Sequence, residues 1–219
     1  MTNLRDAALF RYRRSPEPDD KGETPSRYFD ARFETHAVMV LPGRHYVTTS
    51  ADEMIVTLLG SCVAACIRDP VAAVGGLNHF LLPESENGNW GSTADAAMRY
   101  GNHAMETLIN DIIKLGGMRS RLEVKIFGGA QIIEGATTMA VGQKNIDFVQ
   151  SYLTNEGIDI AAEHLGGPMP RRIHYFPVTG KVQMRQLQRS ADTTLFNREM
   201  TYLHQIQVDD DANDPELFD

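Results

Sequence analysis

Residues 54–83, with the sequence MIVTLLGSCVAACIRDPVAAVGGLNHFLLP, decide how this chain folds. Two apolar runs within it, residues 54–69 and residues 74–83, have the composition of β-strands. Asp69 and Pro70 start a turn between the runs, because proline presets φ at the second turn position and aspartate hydrogen-bonds the backbone that follows. We therefore expect the two strands to fold back on each other as a hairpin.

The turn also predicts which side chains face each other. If Asp69 pairs with Ala72, Cys62 lies directly opposite His79 on one face of the hairpin, with Cβ atoms about 5 Å apart. Longer turn loops would shift this register. A thiol beside an imidazole can give its proton to the ring and become the thiolate that acts as a nucleophile. The hairpin thus predicts Cys62 and His79 as a candidate catalytic pair.

Two residues before the cysteine favour the same chemistry. Gly60 permits a close approach of backbone, so the amides around Ser61 and Cys62 could hold the oxyanion of an acyl-transfer intermediate. We therefore count Gly60 and Ser61 as residues lining the candidate site.

Spacing alone also permits a structural role. Free cysteines are usually small buried hydrophobes, and a lone histidine is often a hydrogen-bonded core residue. Cys66 lies further along the same face and fits that structural role well. A zinc site is a third possibility, but Cys62 and Cys66 do not form a C-x-x-C pair and the other histidines are scattered. We therefore expect no metal site.

The remaining sequence predicts two main helices and further strands. Apolar residues recur at three- and four-residue steps over residues 92–115, and a second helix is expected over about residues 145–155. The other strand-like runs are residues 36–43, 122–127, 158–165, 171–178 and 181–187. Since the helices do not alternate strictly with the strands, we predict a layered single α/β domain with a mixed, mostly antiparallel sheet.

Composition divides the chain into three parts. Residues 1–35 carry prolines and charges with few large apolar residues, which is typical of a flexible arm. Residues 36–206 have the length and composition of one folded domain, and the candidate catalytic pair lies within it. Residues 207–219, with the sequence QVDDDANDPELFD, form an acidic tail.

Charge and hydropathy exclude several classes of protein. The formal net charge of −8 and the isoelectric point near 5.4 argue against a nucleic-acid partner, which would require a basic face. No run approaches the roughly 20 apolar residues that cross a bilayer, and no signal peptide is recognisable. With only two cysteines, a disulfide framework is also excluded. We therefore expect a cytoplasmic protein without membrane insertion.

Several blocks of the sequence together resemble the CheD family. They are residues 57–83 (TLLGSCVAACIRDPVAAVGGLNHFLLP), 125–130 (KIFGGA), 141–149 (VGQKNIDFV), 163–175 (EHLGGPMPRRIHY) and 179–182 (TGKV). The blocks occur in the order expected of that family and cover roughly residues 36–188, so their joint occurrence is more specific than any one of them.

The resemblance implies a cytosolic enzyme of bacterial chemotaxis that converts chosen glutamines of methyl-accepting chemoreceptors to glutamate. It implies Cys62 as the nucleophile, His79 as the base and Thr57 as the residue that orients the imidazole. No organic cofactor or metal is implied. A methyl ester of glutamate would pass through the same thioester, so receptor methylesterase activity is a plausible second reaction. A CheC-type phosphatase is a further implied partner.

Two rival functions remain open at this point. One is a binding module without catalysis that docks receptors or a phosphatase and regulates by occupancy. The other is a cysteine protease or transglutaminase that uses the same nucleophile and base. These would be distinguished by their products, since only a deamidase leaves glutamate in an otherwise intact receptor.

Overall fold

The computed structural model describes residues 26–82, 90–131 and 136–187. These residues form ten strands, two long helices and one short 3-10 helix, Arg119–Arg121. In chain order the elements are β1 (Arg27–Asp30), β2 (Thr35–Met39), β3 (Arg44–Thr48), β4 (Glu53–Leu59), β5 (Val63–Asp69), β6 (Val74–His79), α1 (Trp90–Lys114), β7 (Glu123–Gly128), α2 (Ala136–Asn155), β8 (Ile160–Leu165), β9 (Arg171–Phe176) and β10 (Lys181–Gln186). Neither long helix is apolar enough over a sufficient length to cross a membrane.

The strands form two sheets of five strands each. The first sheet has the order β1-β2-β4-β9-β10 and the second has the order β3-β6-β5-β7-β8. Neighbouring strands are antiparallel except for β2 with β4 and β7 with β8, which are parallel. The predicted α/β class with mixed, mostly antiparallel strands is therefore confirmed. The division of the strands between two sheets was not predicted.

The second sheet lies between the first sheet and the helices. Residues along β5 alternate between its two faces. Ala64 and Cys66 pack against Ile55 and Leu59 of the first sheet, whereas Val63 packs among helix residues. Because both faces of β5 are covered, the strand is a continuous apolar run rather than an alternating one.

The hairpin of β5 and β6 differs in register from the prediction. Asp69 pairs with Val74, not with Ala72, because the connecting loop is four residues long. The Asp69 carboxylate fixes that loop by accepting hydrogen bonds from the amides of Val71 at 2.8 Å and Ala72 at 3.0 Å. The shift is two residues, and a shift by an even number leaves every side chain on its predicted face.

Part of the predicted N-terminal arm is folded. β1, Arg27–Asp30, pairs antiparallel with β2 at the edge of the first sheet. Its side chains are largely exposed, so the strand has no apolar periodicity for the sequence to show. The interpretation of residues 27–35 as arm is corrected accordingly. Residues 1–25 and the acidic tail, residues 207–219, lie outside the described residues.

The second helix begins earlier than predicted, at Ala136 rather than near Asn145. Its first half contains Gly142 and several β-branched residues, which lowers the helix propensity of this segment. Gly142 nevertheless has a packing role. A Cβ atom at this position would lie 2.7 Å from the carbonyl oxygen of Gly129, so only glycine allows α2 to approach the end of β7 this closely.

Candidate active site

Cys62 lies in a short connection between the two sheets. β4 of the first sheet ends at Leu59, and β5 of the second sheet begins at Val63. We call the residues between them, Gly60–Cys62, the cysteine loop. Its backbone is bonded to the end of β7, since the amide of Gly129 donates to the Cys62 carbonyl at 2.7 Å and the amide of Ala130 donates to the Gly60 carbonyl at 2.7 Å.

Gly128 permits this close contact. Its φ is +126°, a conformation that other residues rarely adopt, and a Cβ atom there would lie 2.1 Å from the Cys62 carbonyl oxygen. Such a separation is far below van der Waals contact, so a side chain at this position would displace the cysteine loop. The position of Cys62 thus depends on a glycine 66 residues further along the chain.

His79 ends β6 and is 2% exposed. Its Nδ1 atom lies 2.8 Å from the Oγ1 atom of Thr57. The Thr57 hydroxyl also lies 2.8 Å from the carbonyl oxygen of Val40, to which it donates its proton. Because that proton is used, the threonine oxygen must accept from His79, which places the imidazole proton on Nδ1.

This arrangement leaves Nε2 of His79 as the unprotonated nitrogen. Nε2 is buried and has no hydrogen-bond partner among the described residues. Burial lowers the pKa of His79 to about 4, and a hydrogen bond to the Val40 carbonyl raises it only in part. The imidazole is therefore neutral at physiological pH, with a lone pair able to accept a proton.

Cys62 and His79 face the same interior, between the two sheets. Val63 bridges Phe80, and Cys66 pairs with Leu77, so His79 is a diagonal neighbour of Cys62 on one face. Diagonal side chains in antiparallel strands remain within reach when one of them is aromatic. The predicted common face is confirmed, although the directly opposed register is wrong.

Burial limits access to the pair. Cys62 is fully buried in the cluster between the sheets, beside residues such as Leu59, Leu81 and Phe127. A substrate atom can reach Sγ only when atoms that now cover it move aside. Cys66 is also buried, and burial raises the pKa of its thiol well above the usual range. This pKa fits the structural role predicted for Cys66.

Two buried polar side chains that the sequence did not indicate hold the cysteine loop and the adjacent end of β7. Asn145 of α2 is fully buried, donates from Nδ2 to the Ser61 carbonyl at 3.1 Å and accepts at Oδ1 from the amide of Leu82 at 2.9 Å. Asn145 lies within a block that resembles the CheD family, and that is the one signal in the sequence that could have pointed to it.

The second is Arg171 of β9, which is fully buried. Its guanidinium donates to the Gly128 carbonyl at 3.0 Å and also to the carbonyls of His164 and Gly166. Desolvation lowers its pKa to about 10, so it remains charged at physiological pH. Arg171 therefore connects the end of β7, at Gly128, to the loop after β8, at Gly166, through hydrogen bonds.

Among the described residues, Thr57 contacts His79, and Cys62 of the cysteine loop lies on the same face of the hairpin as the imidazole. No group of three His, Cys, Asp or Glu side chains within residues 26–82, 90–131 and 136–187 is arranged to bind a metal ion. The site offers a thiol, a neutral imidazole with a fixed tautomer and a backbone loop, which are the parts needed for acyl transfer to cysteine.

Comparison with known proteins identifies the family. Residues 81–186 match the family described as CheD chemotactic sensory transduction. A protein of Rhodopseudomonas palustris named probable chemoreceptor glutamine deamidase CheD is 53% identical over 91% of this chain and 92% of its own length. A protein of the same name from Saccharophagus degradans is 50% identical over 88% of this chain and 89% of its own length.

Among solved structures, a hypothetical protein of Bacillus licheniformis, YfiH, aligns with a TM-score of 0.35 and 12% identity, over 54% of this chain and 49% of that chain. The family assignment comes from the sequence relatives, which align over nearly the whole length of both chains. This chain belongs to the CheD family.

Proposed function

We propose that this chain hydrolyses the side-chain amide of glutamines in chemoreceptors, giving glutamate and ammonia. Cys62 is the nucleophile, His79 the base and Thr57 the residue that orients the base. The observation that carries the proposal is the Thr57–His79 hydrogen bond at 2.8 Å, because it leaves Nε2 unprotonated on the face that Cys62 shares. The names of the relatives from Rhodopseudomonas palustris and Saccharophagus degradans support the substrate class.

The first half of the reaction forms a thioester. Nε2 of His79 takes the proton of the Cys62 thiol, and the thiolate attacks the carboxamide carbon of the glutamine. The carbonyl oxygen becomes an oxyanion, for which the amides of the cysteine loop, Gly60–Cys62, are the proposed donors. The imidazolium then gives its proton to the departing nitrogen, and ammonia leaves.

The second half regenerates the enzyme. Nε2, again unprotonated, takes a proton from water, and the resulting hydroxide attacks the thioester carbon. The Cys62 thiolate leaves and recovers a proton from His79. Throughout both halves Nδ1 keeps its proton and its bond to Thr57, so the ring need not rotate.

The same thioester would form from a glutamyl methyl ester, with methanol as the leaving group instead of ammonia. Methylesterase activity is thus the natural second reaction of the same residues. We place both reactions in the cytoplasm, where the free thiols of Cys62 and Cys66 would stay reduced.

The test uses the cytoplasmic part of a chemoreceptor co-expressed with the full chain and analysed by peptide mass mapping. We expect the wild-type chain to convert specific glutamines to glutamate, and Cys62→Ala and Cys62→Ser to leave them unchanged. Cys66→Ala is the matched control, since it removes the other buried thiol, and it should retain most of the activity.

The products separate this proposal from its rivals. Cleaved receptor would indicate a protease, and crosslinked receptor a transglutaminase. Receptor binding that regulates signalling in Cys62→Ala as it does in the wild type would indicate a binding module. Equal loss of activity in Cys62→Ala and Cys66→Ala would show that the effect comes from folding and not from a nucleophile.

A further inference from the structure

Asn145 uses both the nitrogen and the oxygen of its side-chain amide to join two segments of the candidate active site. Nδ2 donates to the carbonyl of Ser61, the residue directly before the nucleophile, at 3.1 Å. Oδ1 accepts from the amide of Leu82, three residues after the base, at 2.9 Å. The side chain is fully buried, so water does not compete for either hydrogen bond.

The bond to Ser61 has a geometrical consequence for the next residue. The carbonyl of Ser61 and the amide N–H of Cys62 belong to one planar trans peptide unit, in which they point in opposite directions. By holding the Ser61 carbonyl toward α2, Asn145 fixes the direction of the Cys62 N–H, which points away from α2.

We propose that Asn145 is a positioning residue that orients the Ser61–Cys62 peptide so that the Cys62 amide donates a hydrogen bond to the oxyanion formed at the glutamine carbonyl. The inference rests on the proposed function, since an oxyanion forms only if Cys62 attacks a carbonyl. Asparagine suits this role because a single short side chain supplies both a donor and an acceptor.

The close packing of α2 against the end of β7 fixes the position of Asn145. Gly142, one turn before Asn145, lies against the backbone of Gly129, where a Cβ atom would be only 2.7 Å from the carbonyl oxygen. Gly129 in turn donates to the Cys62 carbonyl at 2.7 Å. The helix that carries Asn145 is thus fitted closely to the segment that holds the other side of the cysteine loop.

The test compares two reactions of Cys62 in the full chain, one that forms an oxyanion and one that does not. Deamidation of the receptor fragment at saturating concentration gives kcat and requires oxyanion stabilisation. Alkylation by iodoacetamide is displacement at a saturated carbon, which forms no oxyanion and reports only on the thiolate and its accessibility. A residue that acts through the oxyanion should change the first rate and not the second.

The variants are Asn145→Ala and Asn145→Leu. Both remove the donor to Ser61, but the first leaves a cavity and the second fills a similar volume, so a shared effect cannot come from packing. Asn155→Ala is the exposed control on the same helix. Asn78→Ala is the buried control, since Asn78 is 2% exposed and joins the amide of Ala65 to the carbonyl of Ala104 without contacting the cysteine loop.

We expect kcat to fall roughly 100-fold in Asn145→Ala and Asn145→Leu, as is usual on losing one oxyanion contact, with alkylation within about 2-fold of wild type. Asn155→Ala should match the wild type in both rates. Asn78→Ala should lose stability but keep most of its kcat per folded molecule, with the folded fraction measured by circular dichroism.

Two outcomes would overturn the inference while leaving the proposed function intact. One is an unchanged kcat in either folded Asn145 variant. The other is a fall in kcat matched by an equal change in alkylation, which would make Asn145 a support of the fold alone. Failure of the proposed function has a different signature, namely receptor deamidation that persists in Cys62→Ala.

Discussion

Thr57 and His79 belong to different sheets, and the 2.8 Å contact between Oγ1 and Nδ1 crosses the interface between those sheets. Thr57 lies on β4 of the first sheet, and His79 ends β6 of the second. The tautomer of the imidazole is therefore set by how the two sheets pack and not by either strand alone. Since Thr57 is fully buried, this contact is shielded from water.

Replacement of Thr57 tests that contact. Thr57→Val keeps the shape of the side chain but removes the hydroxyl oxygen that accepts from Nδ1, so the ring is held less firmly with Nε2 unprotonated. We expect kcat for receptor deamidation to fall about 10-fold or more, within the range by which a positioned general base contributes. Thr57→Ser keeps the oxygen and should stay within about 3-fold of wild type. Equal kcat values in the two variants would contradict the assigned role.

The low pKa of His79 predicts an unusual pH dependence of kcat/KM. Protonated His79 cannot take the thiol proton, so the rate falls as pH drops through the pKa of the free enzyme. Because burial lowers that pKa to about 4, we expect the acid limb well below the ordinary histidine value of 6.5. If Cys62 and His79 titrate together, the limb reports a property of the pair.

Alkylation of Cys62 checks the same pair independently. In His79→Ala the thiol has lost its proton acceptor, so less thiolate should form and alkylation at neutral pH should slow. Cys66→Ala keeps His79 and should alkylate at Cys62 as the wild type does. An acid limb near 6.5, or unchanged alkylation in His79→Ala, would show that the two residues do not act together.

Gly128→Ala should damage both stability and activity. A methyl group there would meet the Cys62 carbonyl at 2.1 Å on a backbone with φ of +126°, so we expect a loss of roughly 3 kcal/mol or more in the free energy of unfolding. Gly116→Ala is the matched control, with φ of +101° and no atom within 4 Å of the added group. It should cost about 1–2 kcal/mol and leave kcat unchanged. If urea unfolding showed the same loss in free energy of unfolding for both variants, the close contact between Gly128 and the Cys62 carbonyl would not explain the effect.

The sequence predicted the common face of Cys62 and His79 because strand periodicity is short and robust. The two-residue error in the hairpin register came from the length of the loop after Asp69, and an error of that size does not change which side chains share a face. Thr57 was placed by resemblance to the CheD family, since nothing in its local pattern distinguishes it from the apolar residues around it.

What the sequence could not predict depends on contacts between distant segments. Asn145 and the Ser61 carbonyl that it binds are 84 residues apart, and Arg171 and the Gly128 carbonyl are 43 residues apart. The local sequence around Asn145 and around Arg171 does not distinguish either residue from other polar residues of α2 and β9. Their roles depend on contacts that form only when the elements pack together. The division into two sheets has the same cause, because the local pattern of β4 does not specify β9 as its partner.

The last prediction concerns stability between about pH 4 and 6.5. The folded chain holds His79 neutral with a pKa of about 4, whereas the unfolded chain titrates near 6.5. As pH falls through that window the unfolded state binds a proton that the folded state cannot, so the free energy of unfolding should decrease, by on the order of a few kcal/mol. Above about pH 7.5 His79 is largely unprotonated in both states, and its contribution is constant.

His79→Gln should flatten this slope, because glutamine does not titrate, and urea unfolding followed by circular dichroism at several pH values measures it. Burial also lowers the pKa of His174, so His174→Gln is the matched control and should remove a separate share of the slope. Arg121 and the loop amides that bond Asp69 hold the pKa of that carboxyl below its usual range, so Asp69 loses its contribution only as pH falls below about 4. A slope in His79→Gln as steep as in the wild type would mean that the folded chain accepts the proton at His79, and the neutral base would have to be abandoned.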